Sequence, residues 1–201
     1  MGQLSKLLVF GGPGFPSATR DADIRRCREL GRALAVNDSL CLLTGGSRGD
    51  HQAGGGADYH VAFGLADELA DEDKQADRII TVLPDGAGEN FFRLGTVLYQ
   101  GVADMSARRA DLVSRSDVVV TLGGGPGTVA IVAIAIERNV PAVPLGISGG
   151  ASEHLWQDPA VRGPLEAMLR NRLSGSQIEA LVCREVSSID LINICRRVVS
   201  A

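Results

Sequence analysis

The sequence predicts an α/β fold of the doubly wound, Rossmann-like kind, with a mostly parallel sheet and helices on both faces. Short apolar segments of strand length alternate along the chain with longer amphipathic segments. Three of the short segments end in glycine-rich turns. Hydrophobic residues make up 45% of the 201 residues, enough for a sizeable core. Because no repeat or linker divides the chain, we expect residues 1–201 to form one domain.

The first half of the chain predicts a regular alternation of strands and helices. Strands are expected at 7–10, 40–44 and 78–84, and amphipathic or apolar helices at 21–36 and 58–70. The mostly charged stretch 71–77 predicts a solvated connection, and 85–90 predicts a loop. Residues 96–99 are compatible with a further short strand.

The second half continues the alternation. A helix is expected at 104–114, a strand at 118–122, an apolar helix at 129–136 and a strand at 141–145. Residues 148–152 predict a loop, and 158–173 and 188–199 predict helices. The short apolar run 180–183 predicts a last strand.

The stretch 116–128 carries the strongest functional signal. A β-branched strand leads into a turn with four glycines in five positions, and an apolar helix follows directly. Glycines let the backbone approach an anion closely, and the N–H groups at a helix start would face it. The alternative is a tight turn that needs glycine only for its backbone angles. Thr128 is expected either to cap the helix or to bind phosphate.

Three glycine-rich loops are predicted to converge on one pocket, because ligands bind beyond the carboxyl ends of strands in such sheets. Neither a complete dinucleotide fingerprint nor a phosphate-binding P-loop is present. Of Arg108 and Arg109, which point about 100° apart on a helix, we expect one to face the pocket. Glu89 lies in a loop that could contact a ribose or base. The predicted ligand-binding residues are Gly11, Gly12, Gly45, Gly46, Ser47, Arg48, Glu89, Arg108, Gly124, Gly125, Gly127 and Thr128.

Composition argues against several other classes of protein. The net charge of -4 disfavours a broad nucleic-acid surface. No apolar run approaches the roughly 20 residues needed to span a bilayer, so no membrane association is expected. The start of the chain lacks a signal-peptide layout, which predicts a cytoplasmic protein. Four scattered cysteines without paired spacing predict buried free thiols, and we expect neither a metal nor a resident cofactor.

Two motifs resemble those of the LOG ("lonely guy") proteins and the wider SLOG superfamily. Met105-Ser-Ala-Arg108-Arg109 resembles their Met-x-x-Arg-Lys helix, and the stretch 123–131 resembles their Pro-Gly-Gly-x-Gly-Thr-x-x-Glu loop. The similarity covers roughly residues 7–147. It implies a Rossmann-like nucleotide-binding domain, and for the enzyme branch it implies cleavage of the N-glycosidic bond of a nucleoside 5′-monophosphate.

The departure from the motif bears on function. The family's catalytic arginine corresponds to Arg108, but its glutamate position holds Ile131, which cannot act as an acid or base. The resemblance then implies a sensor, as in TIR-associated SLOG domains that bind NAD-derived cyclic ADP-ribose species, with a possible effector domain or partner. The alternatives are an active phosphoribohydrolase using Arg108 and Glu89, and a carrier module that binds a generic anion. The apolar helix after Thr128 suits a homodimer interface or burial within one subunit.

Overall fold

The computed structural model describes residues 4–12, 15, 18–47, 55–101, 104–183 and 186–200. Within these residues a six-stranded parallel sheet forms the centre of the fold. Its strands are β1 (Ser5–Phe10), β2 (Leu40–Thr44), β3 (Ile79–Pro84), β4 (Thr96–Gln100), β5 (Val118–Leu122) and β6 (Ala142–Leu145). Their order across the sheet is β4-β3-β2-β1-β5-β6.

Strand β1 lies between β2 and β5, and the register aligns Leu8 with Leu43 on one side and with Val119 on the other. All three side chains are buried. Strands of a parallel sheet are covered on both faces and therefore read as continuous apolar runs. The chain leaves β1 toward β2 on one side and enters β5 on the other. The switch point of the topology therefore lies between β1 and β5.

The described residues form nine α-helices, and a short 3₁₀ turn (Gly146–Ser148) follows β6. Helix α1 packs against α2 and α9, whereas α5 packs against α4 and α6. The predicted fold class is confirmed, with helices on both faces of the sheet. The helices are α1 (Arg20–Ala35), α2 (Ala57–Leu69), α3 (Glu72–Arg78), α4 (Met105–Ser114), α5 (Pro126–Glu137), α6 (Gly150–Gln157), α7 (Pro159–Arg170), α8 (Gly175–Cys183) and α9 (Ser188–Val199).

Two local predictions were wrong, and the predicted connection 71–77 is solvated but mostly helical. The charged stretch 71–77 forms α3, whose first turn is capped by Asp71 through hydrogen bonds from Asp73 N (2.9 Å) and Lys74 N (3.3 Å). No residue of α3 is buried, so the helix lacks the apolar periodicity that would have predicted it. The expected loop 148–152 contains the start of α6, and the expected strand 180–183 is the end of α8.

Both segments belong to helices that bury one face. Helix α8 buries Ile178 and Leu181, and α6 buries Ala151 and Leu155. These pairs are three and four residues apart, which is the spacing of one helix face. A four-residue apolar run alone does not separate a strand from part of a buried helix. The strand compatible with residues 96–99, by contrast, is present as β4.

Three of the four cysteines are buried thiols, as expected, but Cys183 at the end of α8 is exposed. Burial raises the pKa of Cys195 to about 12, so its thiol stays protonated. In the part of the chain that the structure describes, no helix has the length and apolarity of a membrane span.

Candidate functional site

A cavity of about 260 Å³ lies beyond the carboxyl ends of β1 and β2. Its polar and aromatic lining comes from α2, α4 and the segment before β4, and its backbone lining comes from glycines of the loops after β1 and β2. A larger groove of about 780 Å³ between α1 and the start of α9 holds none of the predicted residues. Because the smaller cavity lies beyond the carboxyl ends of parallel strands and is lined by predicted residues, it is the candidate site. The side chains that define its chemistry are Asp58, Phe91, Met105, Arg108, Arg109 and Leu112.

The turn 123–128 connects β5 to α5 beside this cavity. Gly123 and Gly124 have φ values of +58° and +85°, which favour glycine. A Cβ on Gly124 would overlap Thr128 Oγ1 and would lie 3.2 Å from Gly12 N. The loops after β1 and β5 are therefore in close contact, and their approach depends on the missing side chain.

Residues that follow β6 hold the turn 123–128 in place through hydrogen bonds. Gly123 N donates to Ser148 Oγ at 2.7 Å, and Ser152 Oγ donates to Gly123 O at 3.0 Å. Ala151 N donates to Gly124 O at 3.0 Å. The unusual backbone angles of the turn are thus fixed by hydrogen bonds before any ligand arrives.

The front of the turn carries polar groups with no partner. Thr128 Oγ1 and Arg109 Nε are buried and make no hydrogen bond within the described residues. Arg109 Nη2 would lie 3.1 Å from a Cβ on Gly127, so its guanidinium covers the start of α5. A helix start carries partial positive charge, and the arginine adds a full one. We call residues 123–128 together with Arg109 the anion cradle.

Arg108 lies at the opposite end of the cavity, next to β2. It is 6% exposed, donates to Gly45 O, and places its guanidinium 4.8 Å from the Phe91 ring centroid. With the Gln100 amide oriented to satisfy its neighbours, Gln100 accepts a hydrogen bond from Arg108 Nε at 3.2 Å. Burial lowers the pKa of Arg108, and the nearby Asp58 opposes that effect. We call Thr44, Gly45, Asp58 and Arg108 the β2 end.

Asp58 in the first turn of α2 is 6% exposed and lines the cavity. Its Oδ2 accepts a hydrogen bond from Thr44 Oγ1 at 3.0 Å. Burial raises the pKa of Asp58 to about 7, against the opposing effects of the Thr44 hydroxyl, backbone N–H groups and Arg108. A carboxyl group whose pKa lies near neutrality in a cavity is a candidate functional group.

The structure brings most of the predicted residues together. Gly11, Gly12, Gly45, Ser47 and Arg108 line the cavity. Two predicted residues of the anion cradle adjoin the cavity, because Gly124 lies next to Gly12 and Gly127 lies next to the Arg109 guanidinium. Gly125 and Thr128 belong to the same turn.

The other predicted residues are Gly46, Glu89 and Arg48. A Cβ on Gly46 would lie 2.5 Å from Leu83 Cδ2, so this glycine serves the packing of the loop. Glu89 is exposed in the turn after β3 and is not among the residues that line the cavity. Arg48 lies outside the described residues.

The expectation that one arginine of the pair faces the pocket was wrong, because both line the cavity. Their long side chains leave α4 in different directions, toward Gly45 and toward Gly127. Sequence reasoning also missed Asp58 and Phe91. An acidic residue in the first turn of a helix after a glycine cluster was the available signal for Asp58. Phe91 had none, since the Ser47–Phe91 bridge that places it joins distant segments.

Ile131, at the position of the family's glutamate, has no solvent exposure and belongs to the hydrophobic core. Helix α5 therefore directs an apolar side chain into the protein at this point. Among the described residues, no group of His, Cys, Asp and Glu side chains has the arrangement of a metal site.

These observations define a Rossmann-like α/β protein with a cavity beyond the carboxyl ends of β1 and β2. The family model described as the SLOG cluster4 family matches residues 6–165. The chain belongs to this family, which confirms the SLOG resemblance of its motifs. No match was found among curated proteins.

Solved structures share the fold over nearly the whole chain. The crystal structure of TM1055 aligns with a TM-score of 0.66 and 21% identity, covering 96% of this chain and 99% of that one. The molybdenum cofactor binding protein from the phototrophic bacterium Rippkaea orientalis aligns with a TM-score of 0.62 and 20% identity, covering 99% and 98%. The molybdenum cofactor carrier protein from Chlamydomonas reinhardtii aligns with a TM-score of 0.62 and 22% identity, covering 98% and 99%.

Proposed function

We propose that this chain binds a phosphate-containing nucleotide or an NAD-derived signal, such as a cyclic ADP-ribose species, as a sensor that leaves its ligand intact. The observation that carries the proposal is the anion cradle. Thr128 Oγ1 and Arg109 Nε are buried there without partners in the described part of the chain. Buried polar groups are normally hydrogen-bonded, so a phosphate that accepts from both would satisfy them.

The surrounding turn supports the same ligand. The N–H groups at the start of α5 and the Arg109 guanidinium attract an anion together. Because Ser148 and Ser152 already hold the turn, little ordering is needed when a phosphate binds.

The apolar Ile131 supports binding without turnover. A carboxylate at this position would be the acid or base of the family's hydrolytic reaction. Ile131 offers no such group, and its side chain is fully buried in the hydrophobic core.

The alternative function is a phosphoribohydrolase whose carboxylate comes from another element. Asp58 favours this alternative more than Glu89 does, because Asp58 lines the cavity whereas Glu89 is exposed. A carboxyl group with a pKa of about 7 is suited to proton transfer near neutral pH. A carrier function is the third candidate, and the ligand panel includes molybdenum cofactor because two proteins of similar fold bind or carry it.

The test mixes the purified protein with AMP, ADP-ribose, NAD, cyclic ADP-ribose isomers and molybdenum cofactor. Thermal shift and chromatography are read on the same samples. We expect stabilisation by at least one nucleotide, which is recovered intact, and loss of that stabilisation in Arg109→Ala. Arg25→Ala, which removes an exposed arginine of α1, is the matched control and should bind as the wild type does.

Other outcomes would change the proposal. Release of a free base with ribose 5-phosphate would make the protein an enzyme. Stabilisation by molybdenum cofactor alone would make it a carrier. No stabilisation by any nucleotide would contradict the sensor proposal.

We also propose that the protein is a homodimer that pairs through α4 and α5. Met105 and Val129, near the starts of these two helices, are 55% and 42% exposed. Light scattering should give the mass of a dimer for the wild type and of a monomer for Val129→Glu, because a charge in an apolar interface is costly. A wild-type monomer would contradict the proposal.

A further inference from the structure

The β2 end of the cavity contains a carboxylate whose hydrogen bonds are only partly used within the protein. Thr44 Oγ1 accepts from Gly46 N at 3.0 Å, and this leaves its own proton for Asp58 Oδ2. The Thr44 hydroxyl therefore donates its proton to Oδ2, and this hydrogen bond fixes the orientation of the Asp58 carboxyl group. Backbone N–H groups at the start of α2 also donate to Asp58.

The second oxygen, Oδ1, lies beside a gap in the wall of the cavity. A Cβ on Gly56 would lie 3.0 Å from this oxygen and 2.7 Å from Gly11 O. Gly56 and Asp58 both line the cavity, so Oδ1 lies beside the place in its wall where a side chain at position 56 would stand. An ionised carboxylate has about four acceptor sites, more than its protein partners fill.

The two ends of the cavity therefore differ in the groups they can bind. The anion cradle offers donors from Arg109 and the start of α5. The β2 end offers an acceptor from Asp58, while its arginine is engaged with Gly45 O and Gln100. Gly11 and Gly12, on the loop of the central strand β1, lie between the two ends.

We propose that Asp58 is a sugar-binding residue that accepts a hydrogen bond from a ribose hydroxyl of the nucleotide whose phosphate occupies the anion cradle. This inference rests on the function proposed above. It makes Asp58 a determinant of specificity for ribose over deoxyribose.

Electrostatics favours a neutral donor at this end of the cavity. A second phosphate would be repelled by the Asp58 carboxylate, and a cationic group would be repelled by the Arg108 guanidinium. A hydroxyl donates without adding charge, and a hydrogen bond to a charged acceptor is worth more than a neutral one.

The test is calorimetry at pH 8, where Asp58 is ionised, with AMP, 2′-deoxy-AMP, 3′-deoxy-AMP and ADP-ribose. The proteins are the wild type, Asp58→Ala and Asp58→Asn, with Asp67→Asn as the control on the exposed side of α2. We expect the wild type and the control to prefer AMP over one deoxy form by ~10- to 100-fold. Asp58→Ala should lose this preference and still bind 2′-deoxy-AMP. Asp58→Asn, which keeps the shape and a neutral acceptor, should retain a smaller preference.

The outcomes separate this inference from the proposed function. Equal binding of AMP and both deoxy forms by the wild type would overturn the role of Asp58 and leave nucleotide binding intact. Loss of all four ligands to the same extent in both Asp58 variants would assign Asp58 a structural role and overturn the inference. No binding of any nucleotide by the wild type would overturn the proposed function, and the inference with it.

Discussion

The two ends of the cavity use the same residue type, arginine, in opposite ways. At the β2 end, Arg108 is buried against Phe91 and donates to Gly45 O, so much of its hydrogen-bonding capacity serves the protein. At the anion cradle, Arg109 Nε is buried and has no partner among the described residues. One arginine mainly holds the wall of the cavity together, whereas the other keeps a donor that the described residues do not use.

This difference shows that a motif residue and a binding residue need not coincide. The resemblance to LOG proteins assigns the catalytic role to the position of Arg108, whereas the function proposed above assigns the main contact with the anion to Arg109, which lies next to Gly127. Adjacent positions on a helix diverge by about 100°, so one step along α4 separates the two tasks. The following predictions test this division from the largest expected effect to the smallest.

Gly11→Ala should disrupt both ends of the cavity by forcing apart the loop that lies between them. Its Cβ would overlap Leu122 O and would lie 2.8 Å from Ala57 Cβ, and both neighbours are buried. We expect a loss in the free energy of unfolding on the order of 4 kcal/mol, as for other overpacked core sites with no room to relax. Chemical denaturation measures this change.

Gly88→Ala is the control for that substitution, because a Cβ there would meet nothing within 4 Å. It should change the free energy of unfolding by less than about 0.5 kcal/mol. Equal stability of the two variants would mean that the contact between Gly11 and β5 is looser than the structure has it.

Asp58, at the β2 end, should make the stability of the protein depend on pH. Its pKa rises from an ordinary value of 3.8 to about 7 on folding, so the folded state binds its proton more tightly. Relative to Asp58→Asn, the wild type is then most stable below about pH 4 and loses that advantage as the pH rises to about 7. We expect a loss on the order of 4 kcal/mol, measured by denaturation across this range. If the difference in the free energy of unfolding between the two proteins did not change with pH, the raised pKa of Asp58 would be contradicted.

Arg108→Ala and Arg109→Ala should separate stability from binding. Removing Arg108 leaves the buried Gly45 carbonyl without its donor, which should lower the free energy of unfolding by about 1–3 kcal/mol. Removing Arg109 should leave stability within about 0.5 kcal/mol and weaken binding of a phosphate-containing ligand by ~10-fold or more. Denaturation and calorimetry on both variants measure the contrast. If instead Arg108→Ala weakened binding and Arg109→Ala lowered stability, Arg108 would be the main anion ligand.

Thr128→Val should have the smallest effect on the free energy of unfolding. Whether stability rises or falls shows whether the Thr128 hydroxyl has a hydrogen-bond partner. Because Thr128 Oγ1 is buried without a partner, its removal should raise the free energy of unfolding slightly, by about 0.5–1 kcal/mol. The same change should weaken phosphate binding by ~5-fold through the lost hydrogen bond. Thr121→Val is the control, since Thr121 Oγ1 lies 2.9 Å from Ser152 Oγ and its loss should destabilise the protein. A destabilised Thr128→Val would mean that its hydroxyl already has a partner.

The sequence predicted the sheet better than the helices around it. Strands such as β2 and β5 are buried throughout, so their composition alone marks them. Helix α3 buries nothing and depends on its Asp71 cap, and α8 contains an apolar run short enough to pass for a strand. Prediction failed where the local pattern was either absent or ambiguous.

The candidate site was predictable where it consists of backbone and unpredictable where it consists of side chains from distant segments. Glycine clusters marked the loops at Gly11, Gly45 and Gly124, because an unusual backbone leaves a compositional trace. Phe91 reaches the cavity through the pairing of residues 47 and 91 across two loops. No local pattern encodes such a pairing.

The sequence by itself determined the alternation of strands and helices, the glycine turns at one edge of the sheet and the absence of a carboxylate at Ile131, since each is written in residue type and spacing. Only the tertiary structure decided how Arg108 and Arg109 divide their tasks and that Asp58 enters the cavity. Those outcomes depend on which hydrogen-bond partners each side chain meets in the folded protein. An arginine that meets Gly45 O is committed to the protein, and one that meets a glycine turn stays available to a ligand.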